Sequence, residues 1–60
     1  MVNYCVIIGN QLGCHTREDY SSQATAKARE TEWRGAGYTA QAFEVRINLE
    51  TLEVTHTPLN

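Results

Sequence analysis

Four side chains in this 60-residue sequence are of the types that bind soft metals or form thiol–imidazole pairs: Cys5, Cys14, His15 and His56. Zinc takes four such ligands tetrahedrally, usually as close pairs separated by about two to five residues. Here eight residues lie between the cysteines and forty between the histidines. The neighbours Cys14 and His15 would also project to opposite sides of a strand. No metal site is expected. A catalytic thiol needs a base held beside it, and the sequence orients neither histidine for that work. No Ser/His/Asp set, no phosphate-cradling glycine loop and no paired carboxylates stand out. A chain this short also has little room for a pocket of ~300 Å³ or more. The expectation is a protein that is not an enzyme and carries no cofactor. A Cys5–Cys14 bridge stays open beside a pair of reduced core thiols, since directly opposed strand residues lie about 4.5–5.5 Å apart.

Composition narrows the classes further. The apolar fraction is 42% and the charged fraction 20%, which is globular rather than disordered. The net charge of -2 leaves no basic block of the kind that marks a nucleic-acid footprint. Lys27, Arg29 and Arg34 around Trp33 form the one basic-aromatic cluster, diluted by Glu30 and Glu32. No apolar run reaches the ~20 residues that span a bilayer, and no signal-peptide pattern is visible. The expected setting is the cytoplasm, away from membranes, with residues 1–60 forming a single small domain.

The elements that would position these residues fall into three blocks. Val2, Tyr4, Val6 and Ile8 alternate along a strand rich in β-branched and aromatic residues. Gly9-Asn10 is a two-residue turn candidate. That turn sets Cys5 opposite Cys14, with Cys5, Ile7, Leu12 and Cys14 on one face and Tyr4, Val6, Ile8 and His15 on the other. With one helix available for cover, the Tyr4–Val6–Ile8 face is expected to meet a partner. The helix should begin after Thr16 or Asp19, in a capping-box pattern, run through Ser22–Arg34, and end at Gly35-Ala36-Gly37. Tyr20, Ala24, Ala28 and Thr31 mark its small-residue face. Trp33 lies nearly opposite that face. It either folds onto the glycine-rich turn or the last hairpin, or anchors a partner.

In the last block, Phe43, Val45 and Ile47 alternate, then Leu52 and Val54, joined through Asn48-Leu49-Glu50-Thr51. Pairing Ile47 with Leu52 also sets Arg46 against Glu53. The fold class is α+β, in the order ββαββ, with one helix packed on a small antiparallel sheet. If the first hairpin fails, the order reduces to βαββ. So small a core favours a homodimer or higher oligomer.

Gly13-Cys14-x-Thr16-x-x-Asp19, followed by Ala24-x-Ala26-x-Ala28-Arg29-Glu30, resembles the signature of HicB-type antitoxins over residues 4 to 30. Leu12 stands where that family has proline before Gly-Cys, and the family's first strand has no counterpart here. The resemblance implies a partial RNase H-like fold and a role in neutralising a small toxin by binding it. The resulting expectation is a small protein-binding module, an inhibitor or neutraliser of another protein of the kind carried by phages or mobile elements. Its partner-binding residues would be Tyr4, Val6, Ile8, Trp33 and Tyr38. The rival readings are a small nucleic-acid-binding regulator using Lys27, Arg29 and Arg34, and a structural subunit of a larger assembly.

Overall fold

The computed structural model describes residues 1–59. The chain forms β1 (Val2–Gly9), β2 (His15–Tyr20), α1 (Gln23–Gly35), β3 (Thr39–Ile47) and β4 (Val54–Pro58). The four strands make one antiparallel sheet in the order β2-β1-β3-β4. This is the ββαββ, α+β arrangement. β2 and β3 both run antiparallel to β1, so α1 links two parallel strands across the strand between them.

The first hairpin is longer than a Gly9-Asn10 turn allows, and the reason is Asn10. Its Oδ1 accepts hydrogen bonds from the Leu12 and Cys14 amides at 2.9 and 3.1 Å. The Gly13 amide donates to the Asn10 carbonyl, and Gly13 takes a φ of +83°, the left-handed residue that closes such a loop. Asn10 thus opens the turn rather than sitting at its centre. Cys5 consequently pairs with Asp19 instead of Cys14. The two thiols are free, one buried in β1 and one exposed in the turn. Asn48 repeats the device at the second hairpin, where its Oδ1 accepts from the Glu50 and Thr51 amides. That loop extends to an Asn48–Glu53 backbone pair, so the register moves by two: Ile47 faces Val54, and Arg46 faces Thr55. Arg46 pairs with Glu44 on its own strand.

Residues 15–20, expected as the end of the first hairpin's second strand and the start of the helix, are an edge strand. Charged side chains on an edge strand discourage pairing with other chains, and β2 reads HTREDY. Ser22 caps α1, its Oγ accepting from the Thr25 amide at 3.4 Å. At the other end Gly37, with φ +94°, lets its own amide reach the Arg34 carbonyl and the Tyr38 amide reach the Trp33 carbonyl. This is the Schellman pattern, and Trp33 and Tyr38 make the hydrophobic contact that accompanies it.

α1 lies over β1 and β3. Val6, Ile8, Ala26, Ala40 and Ala42 form the core, with Tyr4, Tyr20, Trp33 and Leu59 packed against it. The helix face that packs is Ala26, Glu30 and Trp33, not the Tyr20–Ala24–Ala28–Thr31 stripe; Ala24 and Ala28 are exposed. Glu30 is tolerated there because its Oε2 accepts the Ala42 amide at 2.6 Å. That amide points toward β4 just where β4 ends. The carboxylate thus takes the place of a strand acceptor, and Arg34 lies 3.6 Å from its other oxygen.

Candidate partner-binding surface

The expectation of a free Tyr4–Val6–Ile8 face is corrected by where the helix lies. Val6 and Ile8 are buried beneath α1, and Tyr4 is half-buried against the same core. The cause is the choice of helix face: Ala26 and the three alanines' worth of space it shares with Ala40 and Ala42 let the helix settle on that side. The sheet face left without a helix carries Cys5, Ile7, Phe43 and Val45.

The structure does bring Trp33 and Tyr38 together. Their ring centroids are 5.1 Å apart at an interplanar angle of 86°, the edge-to-face arrangement favoured by aromatic quadrupoles. They stand at one end of the molecule, where the helix terminus faces the β1–β2 turn. Two adjoining hollows, of about 360 and 210 Å³, share Asn10 and Tyr38. Leu12, 87% exposed, forms the rim at the tip of the turn, and Tyr38 is 41% exposed. Cys14 and Thr16 line the inner hollow with Trp33.

Trp33 is held from behind by a polar network. Its Nε1 donates to Glu18 Oε1 at 3.0 Å, and the Tyr20 hydroxyl donates to the same oxygen at 2.8 Å. Arg29 Nη2 reaches Glu18 Oε2 at 3.3 Å, while its Nε donates to the Tyr20 hydroxyl at 3.1 Å. The Arg29 guanidinium also lies 5.2 Å from the centre of the Trp33 ring. The Trp33 N–H, followed by Arg29, holds the Glu18 carboxyl below the usual carboxylate range. Desolvation, helped by Glu18, pushes the Tyr20 hydroxyl up. These groups donate and accept among themselves and hold the Trp33 indole N–H on Glu18.

Leu12, Asn10 and Cys14 were not among the expected site residues. The signal was a leucine between Asn10 and Gly13, an apolar residue at the tip of a polar turn, hidden while the turn was placed two residues earlier. The basic cluster fares differently. Arg29 is engaged by Glu18 and Glu32, and Arg34 donates to the Ala40 carbonyl at 2.9 Å beside Glu30. Burial pushes the Cys5 thiol up, which keeps it protonated. Among the described residues no three of His, Cys, Asp and Glu converge as a metal would require, and no helix is long and apolar enough to cross a membrane. In comparisons with known proteins, no family model, no curated protein and no solved structure matches the chain.

Proposed function

We propose that this chain is a small, non-enzymatic protein-binding module that acts by occupying another protein, as an inhibitor or neutraliser of the kind that phages and mobile elements carry. One observation carries the reading: Trp33 and Tyr38 converge with the exposed Leu12 around an open groove. Tryptophan and tyrosine are the residue types most enriched at interface hot spots, typically in desolvated pockets with a surrounding rim. The Glu18 network pre-orders Trp33, so little side-chain freedom would be lost on binding. The antitoxin resemblance of residues 4 to 30 points the same way. A nucleic-acid role fits less well, because Arg29 and Arg34 are already engaged by carboxylates. We place the protein in the cytoplasm, where an exposed thiol such as Cys14 stays reduced.

The test is affinity capture from lysate of the cells that encode the chain. Wild type should retain a partner in fixed stoichiometry, and Leu12→Asp should lose it. Leu12 is exposed at the turn tip, so this change leaves the core intact. Equal capture by both would reject the groove as the binding surface.

A further inference from the structure

Among the described residues, no element forms a second layer on the sheet face turned away from α1. Across β1 and β3 that face sets Cys5 opposite Phe43, Ile7 opposite Gln41 and Asn3 opposite Val45, an apolar middle interrupted by two polar side chains. Cys5 and Val45 are buried by their neighbours, while Ile7 and Phe43 are only half-buried. Arg17 reaches over this middle from the β2 edge. Its Nε donates to Asp19 Oδ1 at 2.9 Å, and its Nη1 lies 3.3 Å from Nε2 of His56 on the opposite edge. A sheet with two apolar faces needs cover on both, and the single helix covers the other one.

We propose that a second copy of this chain closes this face, packed sheet to sheet about a two-fold axis that crosses the strands at the level of Val6. The molecule measures 39 × 24 × 16 Å, so its two broad faces are far larger than its edges, and α1 occupies one of them. Strands of eight, six, nine and five residues, ~4.8 Å apart at ~3.3 Å per residue, present about 440 Å². Two copies together bury roughly 900 Å², near the ~1,000 Å² lower bound for a specific interface and in the range of weak, transient ones.

The charges on this face are self-complementary about that axis. Val6 pairs with Glu18 on one side and Ala42 on the other. The row Cys5, Asp19, Phe43 and the row Ile7, Arg17, Gln41 are therefore equidistant from the proposed axis. The two-fold sets Arg17 against the partner's Asp19, and Asp19 against the partner's Arg17. It also sets the larger Ile7 over the partner's smaller Cys5. The chain supplies its own complement in both charge and shape, as an isologous interface requires.

Size-exclusion chromatography with light scattering tests this on the intact chain. Wild type should have twice the 6.8 kDa mass of one chain. Arg17→Asp and Asp19→Arg should each run as monomers with a native circular dichroism spectrum, since both sites are exposed on an edge strand. An equimolar mixture of the two variants should regain the doubled mass, because each then opposes the other's charges. Ile7→Lys should also be monomeric, through the apolar middle of the same face. A wild type that stays at 6.8 kDa up to millimolar concentration would overturn the proposal. So would a doubled mass that none of the three variants changes, which would place the contact elsewhere. A monomer that binds a labelled single-stranded oligonucleotide through Phe43, losing it in Phe43→Ala, would overturn it in favour of a stacking platform.

Discussion

Replacing Glu18 by glutamine is the most informative single perturbation of the groove's support. The carboxylate receives Trp33 at 3.0 Å, Tyr20 at 2.8 Å and Arg29 at 3.3 Å. Hydrogen bonds to charged groups contribute ~1.5–3 kcal/mol. Glutamine keeps an acceptor for Trp33 and Tyr20 but loses the charge and turns an NH₂ toward Arg29. The Glu18 side chain is 26% exposed, so solvent screens part of the effect. The expected loss is about 1 kcal/mol, a fall in Tm of roughly 4–8 °C for a domain of this size. Thermal unfolding followed by circular dichroism and by Trp33, the one tryptophan in the chain, measures it. The pH dependence supplies the sign. Because the folded carboxyl is held below its ordinary value of 4.5, its contribution is fully present above that value and is lost as pH falls through the folded value. The gap between wild type and Glu18→Gln should therefore be open at neutral pH and close in acid. A gap that persists unchanged at about pH 3, well into the carboxylate range, would refute the charge argument. No gap at neutral pH would refute the network's role altogether.

Three other outcomes follow from the packing. A Cβ on Gly9 would lie 2.6 Å from Thr39 Oγ1 and 3.2 Å from the His15 ring, so Gly9→Ala should destabilise by ~1 kcal/mol. In a double-mutant cycle, Thr39→Ala should recover part of that loss; strict additivity would show that the close approach is not the cause. Glu30→Ala strands the Ala42 amide beneath the helix and should cost ~1–3 kcal/mol in denaturant unfolding, with Glu30→Gln milder because an acceptor remains. Indifference to both changes would contradict the strand-acceptor role. A thiol reagent should modify only Cys14 in the native protein and both cysteines after unfolding; rapid native modification of Cys5 would contradict its burial.

The alternation of Tyr4, Val6 and Ile8, and of Phe43, Val45 and Ile47, announces two of the strands, and the helix from Ser22 to the glycine pair is equally readable. What the sequence conceals is set by single polar side chains. Asn10 and Asn48 satisfy loop amides with their own oxygens, lengthening both turns and moving both registers. β2 has no apolar alternation because it is a charged edge, so its residues read as a helix start. Glu30 interrupts the packed helix stripe, which made Trp33 look as if it pointed away from the sheet. The site was half readable for the same reason. Trp33 and Tyr38 stand out by type, but their meeting depends on the Schellman turn at Gly37, and Leu12 joins them only once Asn10 has fixed the turn.

The proposed function rests on protein binding by the groove that Leu12, Trp33 and Tyr38 bound. The most direct measurement is titration calorimetry of the captured partner against wild type and Leu12→Asp, with Arg34→Ala as the control on the basic cluster. Leu12→Asp should weaken Kd at least about tenfold, ~1.4 kcal/mol, while Arg34→Ala stays near wild type. Equal affinity of Leu12→Asp and wild type, with loss in Arg34→Ala, would contradict it.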